Sequence, residues 1–332
     1  MAVAVVTAVL IAGLVLYRQT RAWLYAPIQS LNQATIYEVP QGAALNAVLN
    51  DLHMRGLIQH PRELSIWLRY TRPSYRLKAG EYELHPGSSP LELVELLNSG
   101  HVLLHGLTLV EGSTFADFER GLAANDAVHM SAPRLQAQQL MKRLGANREH
   151  PEGLFFPDTY RFPKGTSDFE IYSLAYRRMQ AELDRLWSER DPGVPLADSY
   201  EALILASIVE KETALGSERP MIAGVFIERL RKGMRLQTDP TVIYGMGVDY
   251  KGNIRKTDLL RDTPYNTYTR TGLPPTPICL PGLESLRAAL NPTTTGALYF
   301  VATGKGDGSH HFSKTLEEHN AAVQHYLKTL HN

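Results

Sequence analysis

The stretch LILASIVEKETALGSERP, residues 203–220, decides how the rest of this chain is understood, because it sets three acidic side chains and a lysine inside or just beyond an otherwise apolar helical pattern. At about 100° per residue, with Leu205 at zero, Ile208 falls near ~300°, Val209 near ~40° and Glu212 near ~340°, the middle of the apolar stripe. Glu212 is therefore expected to point inward. Glu210 at ~140° and Lys211 at ~240° fall on the other side, with Leu203, Ala206 and Ser207, and are expected at solvated or rim positions. Burial disfavours the ionised form of a carboxyl group and raises its pKa, which is how a protein keeps a carboxylic acid protonated near neutral pH. A carboxyl group on an apolar face can equally be bonded to a buried arginine or a helix N-terminus, so the rest of the chain has to choose.

The chain has 332 residues, 44% of them hydrophobic, which allows a substantial core and about two domains. Its 34 basic residues balance 34 acidic ones. No cluster of Lys and Arg interleaved with aromatics marks a phosphate backbone as partner, which argues against nucleic acid. The single Cys279 cannot form an internal disulfide and reads as a small hydrophobe in a loop. At the N-terminus, AVAVVTAVLIAGLVLY (2–17) is an uncharged apolar run followed by Arg18, Arg21, Trp23, Leu24 and Tyr25. It is slightly shorter than the roughly 20 residues that span a bilayer, and it lacks the basic start and small-residue cleavage site of a signal peptide. A single-pass membrane anchor over residues 1–25 is expected. The arginines follow the span, whereas the positive-inside rule asks for a basic leader ahead of it if the remainder is exported.

Beyond the anchor, YEVPQGAALNAVLNDL from Tyr37, YELHPGSSPLELVELL from Tyr82 and LTLVEGSTFADFERGL from Leu107 repeat one unit: a strand-like run, a glycine, then an amphipathic helix. In the second copy Ser89 with Glu92 forms a capping box and Pro90 takes the first helical position. Gly42, Gly87 and Gly112 suit a turn with positive φ. Between the first two copies, RELSIWLRYTRPSYRLKAG predicts a helix through Tyr70, stopped at Arg72-Pro73. Its aromatics Trp67, Tyr70 and Tyr75 fit a core better than a sugar-stacking groove. Residues 34–105 are expected to form one small α+β module. From residue 106 to 332 the pattern predicts a larger mixed α/β domain with helices at 133–145, 167–190, 199–214 and 217–232. After Met234 the Pro, Gly, Thr and Tyr-rich segments RLQTDPTVIYGMG, TPYNTYTRTGLPPTPICLPG and LYFVATGKGDGSHHFSKTLEEHN read as irregular walls of a cleft floored by the Glu212 helix. The fold class is α+β.

Three chemistries compete for this cleft. His310, His311 and His319 lack the spacing of a helical zinc site and no acid accompanies them, so neither metal nor cofactor is expected. Ser207 lacks the Gly-x-Ser-x-Gly elbow. General-acid attack on a glycoside needs first a carboxyl with a raised pKa, and Glu212 supplies it. Asp239 in QTDPT and Asp158 in FFPDTYRF could provide the second carboxylate of a hydrolase, although both sit in turn-like contexts beside proline. A substrate whose own hydroxyl reaches the anomeric carbon, as the 6-OH of N-acetylmuramic acid does, needs no second carboxylate. Glu218 of SERP suits the start of a helix, where acids are favoured.

ASIVEKETALGSERPMIAGVFIERLRKGMRLQTDPTVIYGMG, with YNTYTRTGLPPTPI and LYFVATGKGDGSHHF, closely resembles the MltG (YceG-like) family of endolytic murein transglycosylases, most specifically over residues 206–312. The resemblance implies an anchor at 1–25, a LysM-like module at 34–105 and a catalytic domain at 106–332. It implies non-hydrolytic cleavage of the β-1,4 bond between N-acetylmuramic acid and N-acetylglucosamine, terminating nascent strands, by an enzyme anchored in the inner membrane and facing the periplasm. The second glutamate of the E-K-E triplet, Glu212, would be the acid and base. Gln237, Thr238 and Asp239, and Asn266, Thr267 and Tyr268, resemble the family's cleft-lining stretches and would bind substrate. Partners implied are peptidoglycan strands, the membrane and peptidoglycan synthases. A hydrolytic muramidase using Glu212 with Asp239, and a non-catalytic peptidoglycan-binding scaffold, remain the alternatives.

Overall fold

Hydroxyl side chains set the helix starts. Ser89, Thr114 and Ser167 each accept a bond from the backbone N–H three residues on, while Glu92, Asp117 and Glu170 return a bond to the cap's own N–H. Donors that a helix start otherwise leaves unpaired are thereby satisfied. The capping box expected at Ser89 and Glu92 is present, with Pro90 at the first helical position. Gly42, Gly87 and Gly112 take φ values of 75°, 86° and 77°, the left-handed turns expected of them.

The computed structural model describes residues 2–131 and 135–330. The chain divides into two units, residues 1–105 with 161–165, and residues 106–160 with 166–332. The first contains α1 (Ala2–Leu24), β1 (Thr35–Val39), α2 (Leu45–Met54), α3 (Pro61–Thr71), β2 (Gly80–Leu84) and α4 (Pro90–Ser99). β1 and β2 pair antiparallel with Tyr37 opposite Tyr82, and both rings are buried among Leu49, Leu52, Leu64, Leu68, Val94 and Leu97. Trp67 and Tyr75 pack on this core, and the Tyr75 hydroxyl donates to Val94 O at 2.9 Å. Tyr70 lies outside it, fully on the surface.

α1 is a continuous helix, yet among the described residues no helix is long and apolar enough to cross a membrane. Much of the apolar run expected to do so falls on side chains outside the described ones, those of residues 2–5, 8, 9 and 16. On the described part, Val6, Leu10, Ile11, Leu14 and Val15 are all exposed.

The second unit carries β3 (Leu104–Thr108), within which the chain leaves the first unit, then α5 (Phe115–Ala123), β4 (Val128–His129), α6 (Ala137–Arg143) and the start of β5 (Thr159–Pro163), whose residues 161–163 belong to the first unit. There follow β6 (Thr166–Ser167), α7 (Asp168–Ser188), α8 (Ser199–Glu212), α9 (Arg219–Arg231), α10 (Asp239–Met246), α11 (Lys256–Leu260), α12 (Leu283–Leu290), β7 (Tyr299–Ala302), β8 (His310–Ser313) and α13 (Leu316–Leu330). The four predicted helices are present as α6, α7, α8 and α9 with shorter ends, and residues 133 and 134 of the first lie outside the described ones. Two expectations are corrected: QTDPTVIYGMG is not irregular, because Pro240 in the first turn suits a helix start and α10 begins at Asp239, and LYFVATGKGDGSHHFSKTLEEHN holds the antiparallel pair β7 and β8 and the start of α13.

α8 is the centre of this unit. Every residue from Ala202 to Val209 is buried, and the helix packs against α9 and α12. Each large aliphatic side chain so enclosed contributes roughly 1.5–3 kcal/mol. α9 approaches the segment after α12 so closely that a Cβ on Gly224 would lie 2.2 Å from Thr293 O, while Thr293 N donates to Pro220 O at 2.9 Å. Gly224→Ala must push this backbone away, and a loss of about 1–3 kcal/mol is expected in urea unfolding. An unchanged midpoint would show that the two segments separate freely.

Candidate active site

Glu212 is the last residue of α8, and the chain turns to extended backbone at Thr213. A helix C-terminus carries partial negative charge and adds to the cost of ionising a carboxyl there. Burial pushes the Glu212 carboxyl up to about 7, nearby Asp239 adds to the rise, and a hydrogen bond from Thr238 with the charges of His310 and Arg229 opposes it. The Thr238 hydroxyl donates to Glu212 Oε1. The inward placement expected of Glu212 is what the fold provides.

The carboxyl opens on a cleft of 480 Å³ that is also lined by Arg229, Gln237, Asp239, Tyr268, Tyr299 and His319. One wall gathers around Tyr299: the Arg229 guanidinium lies 5.3 Å from its ring centre, and the His319 ring stacks on it with centres 5.2 Å apart. Arg229 is buried and donates to Leu298 O at 2.7 Å and Leu236 O at 2.6 Å, tying the segment that enters β7 to the segment that leads into Gln237. The other wall joins the two stretches singled out in the sequence. Tyr268 Oη donates to Asp239 Oδ1 at 2.6 Å, and Gln237 N donates to Thr267 O at 3.2 Å. Gln237 has φ 50°, the sole positive value outside glycine among the described residues, a conformation that costs energy and clusters at functional sites.

The six predicted cleft residues thus separate by role. Gln237, Asp239 and Tyr268 line the cleft with Glu212. Thr238, Asn266 and Thr267 lie behind them, each almost fully buried. Asn266 spends its amide on Leu259 O at 3.1 Å and Arg261 O at 2.7 Å and accepts from Tyr268 N at 2.9 Å. Thr267 Oγ1 accepts from Thr238 N at 3.1 Å and shares a hydrogen bond with Thr241 Oγ1 at 2.9 Å. These three hold the wall in place; their polar atoms face protein groups.

Other expectations are corrected. Glu210 is not a rim residue: its side chain is 5% exposed, pairs with Arg219 at 3.1 Å and accepts from Gly282 N at 2.9 Å. Arg219 and the segment at Gly282 close over the Glu210 side of α8, so this position on the polar side of the wheel is interior. Lys211 is exposed, as expected. Glu218 does not cap α9; it receives His310 N at 2.9 Å, with His310 Nδ1 2.7 Å from its other oxygen. Asp158 is paired with Arg178, away from the cleft. His310, His311 and His319 do not converge, since His310 faces Glu218, His319 faces Tyr299 and His311 is exposed. Cys279 is fully buried, its thiol against Ser207 O at 3.3 Å.

Tyr299 and His319 lie in a stretch expected to wall the cleft, though neither was singled out, and Arg229 was not anticipated there. An arginine within the apolar run of α9 was the one available signal. Glu152 was missed as well: buried in the turn before Phe155, it accepts from Phe115 N at 2.9 Å and from Tyr244 Oη at 3.0 Å, and burial pushes its carboxyl up to about 7.

Residues 37–325 match the profile of the YceG-like family, and the chain belongs to that family. It is 32% identical over 341 positions to the endolytic murein transglycosylase of Bacillus subtilis (strain 168), a match covering 96% of this chain and 92% of that protein. It is 28% identical to the endolytic murein transglycosylase of Streptococcus pneumoniae serotype 2 (strain D39), covering 88% of this chain and 58% of that longer protein. The crystal structure of a yceG-like protein from Listeria monocytogenes shares 32% identity and a TM-score of 0.56, covering 87% of this chain and 99% of that one. The resemblance drawn from residues 206–312 is borne out at the level of the family.

Proposed function

We propose that the chain is an endolytic lytic transglycosylase of peptidoglycan, with Glu212 as both acid and base. The observation that carries this reading is the placement of the Glu212 carboxyl, at the end of the buried helix α8 and facing a polar cleft shared with Asp239 and Tyr268, where burial pushes it up to about 7. Its proton passes to the glycosidic oxygen as the bond to the muramic C1 breaks, releasing the N-acetylglucosamine hydroxyl. The resulting carboxylate, eased by the Arg229 and His310 charges, then takes the proton of the muramic 6-OH while that oxygen bonds to C1. Water is not consumed and a 1,6-anhydro end remains. Asp239, held by Tyr268, faces the same cleft and stabilises positive charge developing on the sugar.

Analysis of products by mass spectrometry tests the reading. Glycan strands digested by the protein should end in anhydro sugars, one water lighter than reducing ends. Reducing ends would instead support a hydrolase in which Asp239 activates water, and intact strands would support a scaffold.

Within the same proposal, the first unit binds glycan as a LysM-like module; Asn46, Ser65, Arg69 and Tyr75 line a groove of 420 Å³ there. Residues 1–25 hold the protein to the inner membrane with the remainder in the periplasm, where it would end nascent strands near their synthases. The exposed aliphatic side chains of α1 support attachment to lipid. Fractionation, with protease treatment of spheroplasts, checks both placement and orientation.

A further inference from the structure

α8 and α10 each give one residue to the active cleft and its neighbour to a second, larger one. Glu212 and Asp239 line the first, whereas Lys211 and Pro240 line the second, whose volume is 760 Å³. Successive residues of a helix point about 100° apart, so a branched ligand at Glu212 can send its main chain and its branch into different clefts.

The second cleft differs in character from the first. Ile243, Val248 and Ile278 line it together with Tyr244 and Tyr265, whose ring centres are 4.9 Å apart. Val248 is 89% exposed, an apolar side chain left in solvent at the cleft mouth. Of the two cations present, Arg120 is paired with Asp117. Lys211 Nζ reaches Gly112 O at 3.4 Å, and no ion pair ties it to a carboxylate among the described residues. Glu152 in the same lining is 4% exposed and burial pushes its carboxyl up to about 7, while the Asp117 carboxylate is taken up by Arg120.

We propose that this second cleft takes the acidic peptide branch of the strand being cut, with Lys211 receiving a branch carboxylate and Ile243, Val248 and Tyr265 covering its small aliphatic side chains. This rests on the glycan-cleaving reading, because in that substrate the branch leaves the lactyl group of the sugar whose C1 reacts. The combination of aliphatic wall and unpaired ammonium matches a peptide of alanine and acidic residues better than a neutral sugar.

Two measurements on the full chain test it. L-alanyl-γ-D-glutamyl-diaminopimelate is titrated into the Glu212→Gln protein by calorimetry, with and without Lys211→Ala. Saturable binding that weakens about tenfold on loss of the ammonium is expected, the size of one charge-assisted contact. The ratio of kcat/KM for peptide-bearing strands to that for strands stripped by an amidase is then compared between wild type and Lys211→Ala; it should fall about tenfold, chiefly through KM. Absence of peptide binding, or equal losses on both strands, would overturn the proposal, the latter marking a sugar subsite. If wild type cuts neither strand, the glycan-cleaving reading fails, and the peptide titration still decides the cleft.

Discussion

Glu212→Gln abolishes release of anhydro-ended fragments while the protein still sediments with peptidoglycan sacculi. The glutamine keeps the shape of the side chain and can still accept from the Thr238 hydroxyl, so the walls formed by residues 237–239 and 266–268 have no cause to move. What disappears is the exchangeable proton. General acid and base assistance is worth typically 10²–10⁴-fold, and in the proposed cycle one group provides both halves, so a loss toward the upper end is expected. The wild-type rate should also decline as pH rises past about 7, where the carboxyl ionises. Native cleavage by the glutamine protein would remove Glu212 from the mechanism, and a rate that holds steady to pH 9 would do so as well.

The second large effect is on stability and has the opposite sign. The Glu212 pKa rises from 4.5 to about 7 on folding, so the folded protein binds this proton more tightly than the unfolded chain does. Its contribution is therefore complete below pH 4.5 and is lost as pH climbs through about 7. Each unit of pKa difference corresponds to about 1.36 kcal/mol, and between pH 5 and pH 8 the wild type should lose about 2–3 kcal/mol that the Glu212→Gln protein keeps. Urea unfolding at the two pH values measures it; Glu152, present in both proteins, cancels in the comparison. Parallel stability profiles would mean that the carboxyl is already ionised in the folded state. The inactive protein is thus expected to be the more stable one above neutrality, the relation usual where an active site stores an unfavourable group.

Position 212 was legible because a single helical period locates a side chain relative to its neighbours, and the capping box at Ser89 was legible because its partners are three residues apart. Glu210 was misplaced by the same wheel, which assumes one wet face and one dry face; α8 is enclosed by α9, α12 and the segment at Gly282. The choice of Asn266, Thr267 and Thr238 identified groups able to form several hydrogen bonds. It could not say whether those bonds would point at a ligand or back into the wall, because that depends on where the carbonyls of residues 259 and 261 lie. The pairing of Glu218 with His310 joins residues 92 apart and leaves no local trace. Glu152 belongs to no periodic segment, and its burial is created by α5 and Tyr244 closing over it.

The enclosure of Cys279 has a practical side. A thiol sealed from solvent, with burial pushing its pKa upward, reacts slowly with maleimides. The native chain can therefore serve unaltered as the background for single-site labelling. A dye attached through Asn320→Cys, at the rim of the cleft that Glu212 faces, would report occupancy by fluorescence in the intact protein.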